Sequence, residues 1–258
     1  MSDFETRFGG IARLYGREGL ARLRAAHVCV VGIGGVGTWV AEALARSGVG
    51  TLTLVDLDEV CASNINRQLH ALTGTVGRAK VEVMAERIRA INPECSVVAE
   101  QQFFTAQTAA ALLAPRYDFV VDAIDSVTNK VLLLAGCRDR GLPVAACGGA
   151  GGRRDGTLVR TADLARVTHD RLLAEVRKRL RREFAFPTDG TAMGVACVFS
   201  AEPPVFAQPD GSVCTLRAAA EEGTRLNCNG GLGSATFVTG AFGLAAAGIV
   251  VQSLAGAR

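Results

Sequence analysis

The sequence predicts an α/β fold: a doubly wound, mostly parallel sheet with a variable C-terminal part. Three observations carry that prediction. A short β-branched apolar run ends in a cluster of glycines, strand-like and helix-like segments alternate through the first 150 residues, and the polar, charge-bearing stretches fall just after the strands. Sheets of this kind bind ligands beyond the carboxyl ends of their strands, so the chemistry is expected just after residues 33, 55 and 124.

The run VCVVGI at 28–33 reads as the first strand, and Thr38–Ser47, with Val40, Ala41, Leu44 and Ala45 at helical spacing, as the helix after it. Thr51–Val55 ends at Asp56 and completes a β-α-β unit. Helical periodicity returns at Lys80–Ile91. Strands are then expected at Ser96–Ala99 and Asp118–Ile124, a helix at Leu132–Arg140, and a further strand at Pro143–Ala146. Beyond Gly151 the alternation weakens, and any domain boundary near 155 is soft. Residues 166–184 predict an amphipathic helix, with Leu172, Leu173, Val176, Leu180 and Phe184 on one face and a dense basic face opposite.

Composition narrows the function classes. A net charge of +3 over 258 residues is too small to argue for a polyanionic partner, so the location of the charge must decide. The eight cysteines include no C-x-x-C pair, so a structural zinc is not expected, and the polar opening MSDFETRFGG suits a reducing cytoplasm rather than secretion. Leu226–Ala257 carries no charge and is long enough to span a bilayer. Its glycines, alanines and interrupting Asn, Ser, Thr and Gln residues instead suggest a buried strand or loop followed by a core helix.

Gly32-Ile33-Gly34-Gly35-Val36-Gly37 is a G-x-G-x-x-G between strand and helix, where glycines permit close backbone approach and the helix N-terminus faces phosphate. Alone it fits NAD, FAD or ATP. Asp56 stands where an acidic residue receives ribose hydroxyls, although a strand-end carboxylate is common in any case. Asp58, Asn64, Arg67 and Gln68 follow in a segment unusually polar for a crossover, and Lys80 opens the next helix. Arg67 and Lys80 supply cations that suit a triphosphate better than a dinucleotide.

The motifs GIGGVG, VDLDEV, SNINRQ, VGRAK and DAIDS, in this order and spacing, resemble the ubiquitin-activating-enzyme-like adenylyltransferases. The resemblance implies ATP and Mg²⁺, with Asp56 on the ribose, Asn64 orienting the phosphates, Arg67 and Lys80 binding them, and Asp125 ligating or positioning the metal. Gly32, Gly34, Gly35, Gly37, Asp58 and Gln68 complete the expected nucleotide set.

Within that family, the N-terminal RFGGIARLYG, INPEC, GGAGG, CVFS and TFVTGAFG are most similar to the tRNA threonylcarbamoyladenosine dehydratases. The resemblance implies a single adenylation domain over 1–258, with a nucleotide-binding half at 1–152 and a half at 153–258 that binds tRNA and supports a homodimer. It also implies a partner-subunit arginine at the triphosphate, for which Arg13 is the candidate and Arg7 its rival. A cysteine desulfurase and its sulfur acceptor are implied as associates.

The expected activity is ATP-dependent cyclisation of threonylcarbamoyladenosine in tRNA through an acyl-adenylate. The alternative is adenylation of the C-terminal glycine of a ubiquitin-like sulfur carrier, against which the missing C-x-x-C counts. An NAD-dependent oxidoreductase and a catalytically silent tRNA-binding module are the other rivals; Asn64, Arg67 and Lys80 argue against the first of these. Arg166, Arg171, Arg177, Lys178, Arg179, Arg181 and Arg182 favour tRNA phosphate contact over a merely solvated face. Cys228 is singled out for exposure near the site, and His70 for proximity to the phosphates.

Overall fold

The computed structural model describes residues 2–208, 210–215 and 232–256. Cys228 therefore lies outside the described residues. The chain opens with a helix, α1 (Asp3–Ala25), started by a capping box in which Ser2 and Glu5 exchange side-chain and backbone hydrogen bonds. Gly16 (φ 77°) breaks α1 into two segments, a conformation that a Cβ would strain.

The alternation then follows: β1 (His27–Val31), α2 (Gly37–Arg46), β2 (Thr51–Val55), α3 (Lys80–Ile91), β3 (Ser96–Glu100), the single turn α4 (Ala109–Leu112), β4 (Phe119–Asp122), α5 (Val127–Asp139) and β5 (Val144–Cys147). The chain continues with β6 (Val159–Asp163), α6 (Arg171–Phe184), β7 (Ala196–Ser200), the short β8 (Phe206–Ala207) and β9 (Val213–Cys214), and α7 (Thr236–Ala255).

Seven strands form one sheet in the order β3-β2-β1-β4-β5-β7-β6, parallel except for the edge strand β6. The strand order reverses between β1 and β4, which opens the crevice at that point. β1 and β4 are apolar throughout apart from their ends, because helices cover both faces. One core layer joins α2, α3 and α7 to the sheet, through Leu44, Leu54, Met84 and Phe242; the other joins α5 and α6, through Leu133, Leu134, Leu173 and Leu180.

Three boundaries differ from the sequence reading. The strand expected through Ile124 ends at Asp122, whose carboxylate accepts the Ile124 N–H and turns the chain. The helix expected from Leu132 begins five residues earlier, at Val127. The helix expected from Arg166 begins at Arg171, because buried Asp170 caps it through the Leu173 N–H, while Leu164–Arg166 form a separate 3₁₀ turn capped by Asp163.

The apolar C-terminal segment is α7, long and apolar enough to cross a membrane by length and composition, yet half buried against the sheet, α1 and α2. Arg22 of α1 donates to the carbonyls of Leu254 and Ala255, so a cation caps the C-terminus of α7. Phe237 and Leu244 remain exposed on the opposite face of α7.

Candidate nucleotide site

The glycine turn is pinned from every side. The Gly32 N–H donates to the Val55 carbonyl of β2, the Ala123 N–H donates to the Val31 carbonyl of β1, and the Ile33 N–H donates to Asp56 Oδ2 at 2.7 Å. At Gly32 (φ 91°) a Cβ would stand 2.8 Å from the Ala123 carbonyl oxygen, and at Gly37 one would stand 1.8 Å from the Gly32 carbonyl oxygen. Glycine at 32 and 37 is therefore a steric requirement of a turn wedged between two strand ends. The space above Gly34 and Gly35 is bounded instead by the Gln68 side chain and by the aliphatic stem of Arg67.

Asp56 is buried, and its carboxylate also accepts the Asp58 N–H. Burial pushes its carboxyl up, opposed by the nearby Lys80 ammonium and by the two backbone N–H groups. Lys80, almost fully buried at the first turn of α3, donates to Asp58 Oδ2 at 2.7 Å, and Asp58 is half exposed. A buried ammonium held on a half-exposed carboxylate is a cation that can exchange its partner for a phosphate oxygen.

The loop carrying Arg67 is docked, not free. Trp39 of α2 and Thr239 of α7 both donate to the Arg67 carbonyl, and the Asn66 amide donates to the Ser234 carbonyl. The Arg67 guanidinium itself rests on the Ser63 carbonyl and Asn66 Oδ1. Asn64 is buried and accepts the Cys61 N–H, so its side chain shapes the loop from within.

His70 lies beneath the turn, with its Nε2 against the Ile33 carbonyl at 3.2 Å. A carbonyl partner requires Nε2 to carry the proton, and burial pulls the imidazole down to about 4, so the ring is neutral and its Nδ1 is a bare acceptor. Gln68 Oε1 is likewise buried without a partner. Two orphaned acceptors beside a glycine turn with an unfilled surface above Gly34 fit a hydrogen-bonding ligand such as a nucleotide.

Asp125 sits on the β4–α5 turn, exposed, and forms no hydrogen bond or ion pair among the described residues. No cluster of three His, Cys, Asp or Glu side chains suited to a metal occurs among the described residues. A lone exposed carboxylate at a strand end is the kind of oxygen donor that magnesium shares with substrate phosphates.

Arg7 is committed locally, paired with Asp3 and reaching the Ile91 carbonyl. Arg13 is exposed and has no such partner among the described residues; the adjacent Leu14 is 76% exposed. The buried thiols of Cys29, Cys137 and Cys147 are pushed up to about 12 by desolvation, which makes them core packing groups and not nucleophiles.

On α6, Leu173, Val176 and Leu180 are buried as expected, Leu172 and Phe184 only partly so, and the basic face divides in two. Arg177 and Arg181 donate to the carbonyls of Leu164, Val167 and Pro187, and Arg179 pairs with Glu183. Lys178, 4.0 Å from Glu175, and Arg182, which shares Glu183 with Arg179, remain exposed at the rim of a cavity of about 440 Å³ also lined by Arg177, Arg181 and Thr188.

The profile of the ThiF family matches residues 10–257. The chain belongs to the ThiF family. It is 51% identical to the tRNA threonylcarbamoyladenosine dehydratase of Escherichia coli over 93% of this chain and 90% of that protein. It is 45% identical to that of Haemophilus influenzae over 98% and 95% of the two chains. The crystal structure of the E. coli dehydratase in complex with ATP superposes with a TM-score of 0.86, at 45% identity over 98% of this chain and 96% of that one.

Two groups in this ThiF-family chain escaped the sequence reading. Lys130 and Asp122, both wholly buried, pair at 2.8 Å beneath the turn that carries Asp125. A lysine inside an otherwise apolar helical stretch was the available signal. Arg153 is also buried, and only the glycine run before it hinted at a special environment.

Proposed function

We infer that the protein uses ATP to cyclise threonylcarbamoyladenosine in tRNA. The observation that carries this reading is the gathering of the glycine turn, Asp56, Arg67, Lys80 with Asp58, and Asp125 at the carboxyl ends of β1, β2 and β4, in a chain alike over nearly its whole length to dehydratases of that specificity. Asp56 and the orphaned Gln68 receive the nucleoside, and the glycine-turn amides with Arg67 and Lys80 receive the phosphates. Magnesium, if carried on Asp125, neutralises charge on the triphosphate.

In the first step the threonyl carboxylate attacks the α-phosphorus and pyrophosphate leaves. In the second, an atom of the carbamoyl group attacks the acyl carbonyl, gives up a proton and expels AMP, so the ring closes with net loss of water. The nucleophile is already tethered, and no enzyme nucleophile is required. The buried, unreactive thiols agree with this.

The substrate assignment over a carrier-protein tail draws support from α6, where Lys178 and Arg182 face solvent beside a cavity rich in guanidinium groups. On this reading tRNA binding belongs to the 153–258 half and nucleotide binding to 1–152. A homodimer, with Arg13 delivered to the neighbouring triphosphate, is supported by Arg13, which has no partner among the described residues, by exposed Leu14, and by the exposed Phe237 and Leu244 on α7. Cytoplasmic residence is the compartment this reading proposes. A cysteine desulfurase and its sulfur acceptor would be associates standing outside the chemistry, since no sulfur enters the product.

Pyrophosphate release from ATP, measured with tRNA carrying threonylcarbamoyladenosine, unmodified tRNA and a ubiquitin-like carrier, tests the reading. Release is expected with the modified tRNA only. Release with the carrier alone overturns it.

A further inference from the structure

Arg153 follows the glycine loop Gly148–Gly152 at the carboxyl end of β5, one strand over from the β4–α5 turn that carries Asp125, and neighbouring strands lie about 5 Å apart. The residue is only 5% exposed, yet its Nε and Nη1 have no hydrogen-bond partner. Its Nη2 donates to the His169 carbonyl at 2.9 Å, and His169 holds a left-handed backbone (φ 59°) that a non-glycine residue adopts at a cost.

Neither nearby carboxylate satisfies the guanidinium. Asp170 spends both oxygens on backbone N–H groups, of Gly149 and Leu173. Glu202 accepts the N–H groups of Arg154 and Asp155. Among the described residues, Arg153 forms no ion pair, and burial lowers its affinity for the proton. Asp170 and Glu202 lie close enough to offset part of its charge without hydrogen-bonding it. Buried donors left unmade are costly, so a guanidinium held in this way is arranged for an anion that arrives with a ligand.

Since Nη2 uses one of its two hydrogens on His169, a full two-donor edge of the guanidinium stays free, shared with either Nε or Nη1. That fork matches a carboxylate or a phosphate. The nucleotide phosphates belong over β1, β2 and β4, whereas a tRNA phosphodiester on the outer surface would be met by exposed cations such as Lys178 and Arg182.

We propose that Arg153 is a substrate-binding residue that receives the threonyl carboxylate of the modified nucleoside and presents it to the nucleotide. This rests on the dehydratase reading above. Leu232 and Gly233 overlie the glycine loop, tied to it by the Gly152 N–H donating to the Gly233 carbonyl.

The test uses the full-length protein and three anticodon stem-loops: one carrying threonylcarbamoyladenosine, one carrying its methyl ester, and one unmodified. Wild type is expected to bind the free acid about tenfold or more tighter than the ester. In Arg153→Gln that ratio should fall to near one, while affinity for ATP and for the unmodified stem-loop stays within about twofold. Arg153→Lys, which retains the charge without the fork, should recover part of the ratio and guards against a Gln variant that does not fold. A ratio unchanged in Arg153→Lys and Arg153→Gln, or an equal loss for all three stem-loops, overturns the proposal. Wild type that fails to convert the modified tRNA at all overturns the dehydratase reading itself.

Discussion

The most consequential residue of the nucleotide site is one whose side chain never faces the phosphates. Ile33 has its N–H on Asp56 and its carbonyl on His70, so the apex of the glycine turn is held between a carboxylate and a neutral imidazole. His70 must stay neutral to keep that geometry. Its pKa is depressed to about 4 in the fold, against about 6.5 when unfolded, so the unfolded chain takes up a proton first. The stabilisation is complete above about pH 6.5 and is lost as pH falls toward about 4, by up to about 3 kcal/mol. Urea unfolding at pH 7 and pH 4.5 should show this loss, and His70→Gln, which keeps a donor without titrating, should flatten it. Identical pH profiles for the two proteins would show that His70 is already hydrated in the fold.

At the level of elements, the β4–α5 turn is the hinge of the site. Strand β4 ends because Asp122 turns inward, accepts the Ile124 N–H and pairs with Lys130 from the first turns of α5. The same turn supports Gly32 on one side and carries Asp125 on the other. Lys130→Met should therefore destabilise the protein by about 3–5 kcal/mol, because it strands a buried carboxylate. Adding Asp122→Asn should restore much of that loss, since a buried pair removed together costs less than one broken. Thermal or urea unfolding of the three variants measures it; additive losses in the double variant would rule out the pair as the cause.

For the whole molecule, the proposed dimer turns on α1 and α7. The break at Gly16 leaves Arg13 and Leu14 outward, while Arg7 is tied to Asp3. If Arg13 completes the neighbour's site, Arg13→Ala and Lys80→Met should each be nearly inactive alone. Unfolded and refolded together, they should regain about a quarter of wild-type activity, since half of the dimers are mixed and one site in each mixed dimer is intact. No recovery in a mixture shown to exchange subunits would place Arg13 on its own subunit's nucleotide or outside the site.

Much of this was legible in the linear chain, because its signals are local. The 28–33 run into glycines, the strand ends at Val55 and the β4 segment, and the apolar stripe of α6 each depend on neighbours a few residues away, which periodicity and glycine spacing report directly. The family motifs are local in the same way, and the structure gathers Asp56, Arg67 and Lys80 around the glycine turn they border. The sequence did not reveal which cations are already spent: Arg177 and Arg181 look like part of an open basic face until the fold turns them onto carbonyls. It also did not reveal that Lys130 is buried on Asp122, or that Arg153 is buried with nothing on its fork. Charge is written in the sequence, but its partner and its access to water are settled only when distant segments pack, and those two quantities decide whether a cation supports the fold or waits for a substrate.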